Sequence, residues 1–202
     1  MLNAGMIRFI NDSDYAQVLR IWQACFGDEE SYVRFFWENG FPTCRGLIYE
    51  AAEQPVSMLF LLPCALAYRK IYLPAEYVYA VATLPGHRNK GYAAALTQEA
   101  ILLAGSEGKS ALCLRPGDEG LYAYYAKQGF VKAFAKQEKV DRNGYFAWSF
   151  HMREYIDKEG ELTGRDMCPA GDAGGMILPL DKQAQKWLKK TKGRAYMGPA
   201  LE

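Results

Sequence analysis

Residues 78–100 read VYAVATLPGHRNKGYAAALTQEA, and this stretch decides the fold. The residues from Glu76 to Thr83 are β-rich and alternate, with Tyr77, Tyr79 and Val81 on one face and Val78 and Ala80 on the other. Leu84-Pro85-Gly86 closes that strand. From Gly91 to Ala104 the composition turns to alanine and leucine, which favour helix. A strand that runs through a short loop into a helix aims the helix's unsatisfied N–H groups beyond the strand end. Those donors and the helix dipole suit a phosphate or pyrophosphate. Arg88 and Lys90 add charge in the loop. Gly91 permits a close backbone approach, and Ala93, Ala94 and Ala95 keep the first helical turn slim.

Upstream, Met6 to Ile10 reads as an opening strand, and Asn11-Asp12-Ser13 offers helix caps. Tyr15, Val18, Leu19, Trp22 and Phe26 fall at helical spacing, which predicts a helix over 13–26. A second, aromatic-rich helix is expected over about 29–38, stopped by Asn39-Gly40. Residues 46–52 and 56–68 predict paired strands turning at Glu53-Gln54-Pro55, with 71–73 as a further short strand. Downstream, 110–114 predicts a strand, and Leu121, Tyr122 and Tyr125 a helix running to Gly129. Strands follow at about 130–140 and 145–152. The succession implies a mixed α/β sheet with helices packed on it. Residues 159–175 hold five glycines and read as a loop, followed by a short strand at 175–180 and a basic helix at 181–190. We therefore divide the chain into a main domain, 1–154, and a small appendage, 155–202, too short for its own core.

Half of the 202 residues are hydrophobic, ample for a buried core. The 24 basic and 23 acidic side chains nearly cancel, which argues against a nucleic-acid partner. The longest apolar run, 58–67, is broken by Pro63 and too short to cross a bilayer, so no membrane partner is expected. Five scattered cysteines without C-x-x-C spacing suit a reduced, cytoplasmic protein. With two histidines, His87 and His151, no metal site is expected.

Arg88-Asn89-Lys90-Gly91-Tyr92-Ala93 resembles the R/Q-x-x-G-x-G/A signature of the GNAT acetyltransferase superfamily, with Ala93 in place of the second glycine. A second block, LYAYYAKQGF at 121–130, resembles that family's later aromatic-Tyr-x-x-x-Gly-Phe run. The resemblance covers about residues 6–152. It implies a mostly antiparallel central sheet flanked by helices, and acetyl-CoA as co-substrate. It further implies that Val81, Ala82 and Thr83 line the pantetheine arm and the acetyl carbonyl. Arg88, Asn89, Lys90, Gly91, Tyr92, Ala93 and Ala94 would then bind the pyrophosphate. AVATLPGHRNKGYA and LRPGDEGLYAYYAKQGF look closest to the enhanced-intracellular-survival branch, whose full-length members are about twice as long and carry further domains.

Acetyl transfer from a thioester to an amine needs a deprotonated nucleophile, donors at the developing oxyanion and an acid for the leaving thiolate. By the resemblance, Tyr125 is that acid, with Tyr122 and Tyr124 as neighbours that could replace it. Glu76 stands where many members place a basic glutamate, although a solvated strand-end carboxylate is its ordinary reading. The family also suggests a C-terminal tail, Tyr196 to Glu202, entering the site. Trp22, Phe35, Phe36 and Trp37 lie in the two-helix region that, by the resemblance, borders the acceptor pocket, while their helical spacing favours core. The expected acceptor is a small-molecule or peptide amine, and dimerisation is common in the family. Two other functions stay open: transfer from another acyl-CoA or an aminoacyl donor, and a CoA-binding sensor without turnover.

Overall fold

The computed structural model of the chain describes residues 5–135, 141–163 and 174–197. Nine strands among them follow the order β1-β2-β3-β4-β5-β8-β6, with β7 on β3 and β9 on β7. The chain divides into two compact units, Met1–Leu62 with Val78–Ala100, and Pro63–Tyr77 with Ile101–Glu202. Strands β3 (Gln54–Tyr68) and β4 (Ile71–Thr83) contribute a part to each.

In the first unit, β1 (Met6–Phe9) pairs antiparallel with β2 (Arg45–Ala51), and β2 with β3. The β2–β3 turn is Ala52-Glu53, one step before the expected Glu53-Gln54-Pro55. Both residues have positive φ, 51° and 61°, the turn geometry that matches the twist of a two-residue hairpin. Pro55 falls inside β3 opposite Glu50, at a break in register where a missing N–H is tolerated. Helix α1 (Tyr15–Phe26) follows a 3-10 turn capped by Asn11 and ends at Gly27, whose φ of 75° suits glycine. Asp14, before α1, is clamped by Arg8 at 2.7 Å, and this partner holds its carboxyl below the ordinary range.

Helix α2 (Glu30–Phe35) widens into a π-helical turn, Phe36–Gly40, in place of the uniform helix expected to residue 38. Its aromatics and those of α1 converge on Trp22. Phe36, Phe60, Tyr79, Phe26 and Tyr32 all place ring centroids 5.2–6.2 Å from the indole. Trp22 Nε1 donates to Asp28 at 2.7 Å, so the indole's one polar group is satisfied at the cluster's edge. The spacing that predicted core for Trp22 and Phe36 is met, while Phe35 and Trp37 are half-buried.

In the second unit, β4 is one strand from Ile71 on through Pro74, where separate strands at 71–73 and 76–83 were expected. That proline sits just before the β5 pairing, and its carbonyl accepts from Ser110 N–H at 2.7 Å. Strand β5 (Ala111–Leu114) pairs parallel to β4 over Ala75–Tyr77. Helix α4 (Glu119–Ala126) leads to the short β6 (Val131–Lys132). Strand β7 (Asp141–Trp148) returns along the outer part of β3. Residues 150–163 form helix α5, where a strand end and a loop were expected. Met152, Tyr155, Ile156 and Glu159 are buried at helical spacing, a pattern that the β-rich run before it obscures.

The expected short strand and basic helix appear as β8 (Met176–Pro179) and α6 (Lys182–Thr191). They are woven into the sheet. β8 lies between β5 and β6, and β9 (Ala195–Met197) runs parallel to β7. Trp187 is buried, donates Nε1–H to the Ala67 carbonyl at 2.8 Å and packs on Phe134. Tyr196 and Met197, expected in a tail entering the site, belong to β9; residues 198–202 and Cys168 lie outside the described residues.

Replacing Trp22 by alanine removes the hub of the first unit's core. Denaturant melts should show about 3–5 kcal/mol lost. A loss below 1 kcal/mol would contradict the hub assignment.

Candidate functional site

The alternation expected along β4 breaks at Ala80. Its φ of 48° is rare for a residue with a Cβ and marks a kink in the strand. Such a kink takes backbone groups out of the ladder and leaves them for another partner. The surroundings fix it on both sides within the first unit. Just before it, the Tyr79 ring is held in the Trp22 cluster, and its hydroxyl is 2.8 Å from that of Tyr32. Just after it, Ser57 Oγ donates to the Ala82 carbonyl at 2.7 Å and lies 2.7 Å from Thr83 Oγ1. Cys25 Sγ donates to the Thr83 carbonyl at 3.3 Å, and Leu84 N–H to the Val56 carbonyl at 2.9 Å.

Beyond Thr83 the chain makes a 3-10 turn, Pro85–His87, and enters helix α3 (Tyr92–Ser106). Asn89 and Gly91 have φ of 62° and 84°. Alternating left-handed and ordinary residues turn successive N–H groups into one concavity, the arrangement that receives anions. The first helical bond runs from Ala95 N–H to the Gly91 carbonyl at 2.9 Å. The N–H groups of Tyr92, Ala93 and Ala94 therefore have no helical acceptor. A Cβ at Gly91 would meet nothing within 4 Å, so in the free protein the backbone angle, not room, demands glycine there. Arg88 Nε donates to the Thr83 carbonyl at 3.2 Å, which leaves the rest of its exposed guanidinium turned to solvent. Asn89 and Lys90 are exposed as well. Tyr92 stacks on Tyr49 of β2, centroids 4.4 Å apart, and this fastens the helix start to the sheet.

Val81 to Ala94 thus form one continuous structure in the first unit. Tyr125 and Glu76 belong to the second, and there the structure separates the three tyrosines of α4. Tyr122 donates its hydroxyl to the Gly174 carbonyl, so it is committed elsewhere. Tyr124 is half-buried beside Gln128, and burial pushes its hydroxyl up. Tyr125 is buried against Phe130, and burial, then Tyr124 and Tyr77, push its hydroxyl well above the ordinary tyrosine value. A phenol so placed stays protonated at neutral pH, the state a proton donor needs. Glu76 is not a solvated strand-end carboxylate. Because β4 begins five residues earlier, Glu76 lies inside the strand, 3% exposed, with Lys109 Nζ at 3.9 Å.

The kink at Ala80, the second positive φ at Asn89 and the Ser57–Thr83 contact escaped the sequence reading. Alanine in an alternating run carries no turn signal. An Asn two residues before Gly was the one readable hint.

Against this geometry, the model of the acetyltransferase (GNAT) domain family matches residues 6–133, and the chain belongs to that family. No curated protein sequence matches it. Among solved structures, the fold is similar to a GNAT family N-acetyltransferase (YhbS) from Escherichia coli in complex with CoA. The TM-score is 0.61 at 17% identity, over 96% of this chain and 87% of that one. A GNAT family acetyltransferase from Brucella melitensis in complex with acetyl-CoA gives 0.57 at 18%, over 74% and 98%. A GCN5-related N-acetyltransferase from Kribbella flavida gives 0.53 at 18%, over 64% of this chain and 34% of that one. The chain therefore spans about a third of the length of that last relative. Among the described residues no cluster of potential metal ligands occurs, and no helix is long and apolar enough to cross a membrane.

Two outcomes follow from the geometry. Gly91→Val should cost about 1–2 kcal/mol of stability, because a side chain at that φ is strained, and it should weaken CoA binding. Gly91→Asn should be milder. Melts and calorimetry on the pair would contradict the anion-loop reading if valine left both unchanged. The second outcome concerns alkaline stability. Tyr125 and Tyr77 have hydroxyls raised by burial. The stability that they contribute as neutral groups is complete below the unfolded tyrosine pKa of about 10 and is lost as pH rises above it. Thermal melts between about pH 8 and 11.5 should decline above pH 10, and less steeply in Tyr125→Phe. Identical slopes would show that Tyr125 is not held neutral.

Proposed function

We propose that the protein transfers the acetyl group of acetyl-CoA to a primary amine by direct attack in a ternary complex. The observation that carries this reading is the kinked end of β4 running into a loop with two left-handed residues at the start of α3. The N–H groups of Tyr92, Ala93 and Ala94, with Arg88 and Lys90, take the pyrophosphate of CoA. The freed backbone around Ala80 and Val81, with Ala82 and Thr83, takes the pantetheine arm and the acetyl carbonyl. Donors in that position gain strength as the carbonyl oxygen becomes negative, which lowers the barrier for the tetrahedral intermediate.

An alkyl amine has a pKa near that of lysine, about 10, and must lose a proton to attack. Its nitrogen lone pair forms the new C–N bond. The C–S bond then breaks, and the departing CoA thiolate takes a proton from the Tyr125 hydroxyl. Glu76 accepts the proton that the ammonium loses before attack, directly or through water, and the second proton, shed by nitrogen as the amide forms, returns through water to the Tyr125 oxygen. Tyr125 is preferred over Tyr122 because the latter's hydroxyl is already committed to Gly174. Holding both substrates together supplies much of the remaining acceleration. The enhanced-intracellular-survival-type branch, suggested by residues 80–93 and 114–130, and a cytoplasmic setting, suggested by the reduced cysteines, belong to the same proposal.

Thiol release from acetyl-CoA across small amines, polyamines, aminoglycosides and lysine or N-terminal peptides tests the reading. Turnover with one acceptor class is expected. Tyr125→Phe should then lower kcat by about 100- to 10,000-fold, the range for losing a general acid, with acetyl-CoA affinity unchanged. Acetyl-CoA binding without release for any amine would favour a non-catalytic CoA-binding module. Full activity in the Phe variant would remove Tyr125 from the mechanism.

A further inference from the structure

The carbonyl of Thr83 already has two donors. Cys25 Sγ donates to it at 3.3 Å and Arg88 Nε at 3.2 Å. A carbonyl oxygen has two lone pairs, so both are in use. This carbonyl stands on the edge of β4 that faces away from β3. Leu84 N–H pairs with the Val56 carbonyl of β3, and the Ala82 carbonyl receives Ser57 Oγ from the same side. Neighbouring residues along a strand turn their backbone groups to opposite edges, which sends those of Thr83 outward. Among the described residues, the β4–β5 ladder covers Ala75 to Tyr77 and does not reach Thr83.

The two donors differ in how firmly they are held. Cys25 lies three residues beyond Trp22 on α1, the helix that the aromatic cluster fastens to β3 and β4. Its thiol cannot leave unless α1 shifts. Arg88 is exposed, and its side chain reaches back over the turn Pro85–His87 to make the contact. Only Nε–H is spent there; an arginine carries four more N–H groups on its terminal nitrogens. Among the described residues, its guanidinium has no carboxylate at ion-pair distance. Helix α3 begins at Tyr92, and the positive end of a helix gives a nearby cation no support. The guanidinium is therefore held by one weak, exposed bond, in surroundings that favour an anion.

We propose that Arg88 is a specificity-determining residue: it covers the Thr83 carbonyl until a diphosphate draws it off, so the site prefers CoA thioesters to pantetheine thioesters that lack the diphosphate. The inference rests on the function proposed above, in which Thr83 takes part in holding the pantetheine arm. An amide N–H of that arm needs a lone pair of the Thr83 carbonyl, and Arg88 is the donor that can yield one. Diphosphate oxygens set between the guanidinium and the N–H groups of Tyr92, Ala93 and Ala94 accept charge-assisted hydrogen bonds, stronger than one bond to a neutral carbonyl. A donor without the diphosphate must displace Arg88 with nothing to offset the loss.

NMR titrations of the full chain with acetyl-CoA and with S-acetylpantetheine, for the parent, Arg88→Lys and Arg88→Ala, test the proposal. Lysine keeps the charge but has a methylene where arginine has Nε. Arg88→Lys should bind S-acetylpantetheine about two- to tenfold more tightly than the parent, the worth of one hydrogen bond. Its affinity for acetyl-CoA should stay within about threefold of the parent, because the charge is kept. Arg88→Ala should show the same gain for S-acetylpantetheine and bind acetyl-CoA about tenfold more weakly. A side chain needed only for the shape of the loop would not move the two ligands in opposite directions. Arg88 is exposed, and melts of both variants should match the parent. In Cys25→Ala one lone pair of the carbonyl is already released, so adding Arg88→Lys should bring S-acetylpantetheine little further gain. If Arg88→Lys binds S-acetylpantetheine no better than the parent, with acetyl-CoA binding intact, this inference alone is overturned. Failure of the parent chain to bind acetyl-CoA at all overturns the proposed function together with it.

Discussion

The packing of Trp22 against Tyr79 is the contact on which the candidate site depends. A strand with a left-handed alanine costs of order 1–3 kcal/mol in backbone strain and persists only where its surroundings over-determine it. Here the residue before the kink is locked by aromatic rings from two helices, and the residues after it by Ser57, Cys25 and Val56. The helices α1 and α2 thus do more than cover the sheet. They hold one strand in a conformation that it would not keep alone. The π-helical turn at Phe36–Gly40 belongs to the same cluster, since Phe36 contacts Trp22, Phe60 and Tyr79.

Much of this was legible in the residue pattern, and the reasons for success and failure are physical. Elements dictated by local chemistry were readable: α1 from its apolar spacing, α3 from its alanines and leucines, the loop from Gly91, α4 from its aromatics. Elements dictated by distant partners were not. Ala80 is kinked because of Tyr79's neighbours, so no property of alanine announces it. Residues 71–73 and 76–83 read as separate strands, yet β4 runs unbroken through Pro74, because the segment leading into β5 uses its carbonyl and needs no N–H from it. Helix α5 was hidden by the β-rich residues leading into it, although its buried face is regular.

The candidate residues divide in the same way. Gly91 and its neighbours could be singled out because a positive φ and unsatisfied N–H groups follow from local sequence. Tyr125 and Glu76 rest on motif position, and what the fold adds is environment. One phenol is buried while its neighbour three residues earlier is tied to a carbonyl, and a carboxylate expected at a solvated strand end lies inside the sheet.

The place of β8 has a consequence for how the protein is made. Leu114 of β5 pairs with Met176, and among the described residues β8 is the strand that pairs with β6. While the ribosome is still synthesising residues 133–175, β5 has an uncovered edge and β6 lacks its partner β8. Pairing between strands far apart in sequence is slow, and an open strand edge in the waiting chain invites association with other chains. Biogenesis of this sheet is therefore exposed to crowding and chaperone capacity until β8 is threaded between its neighbours.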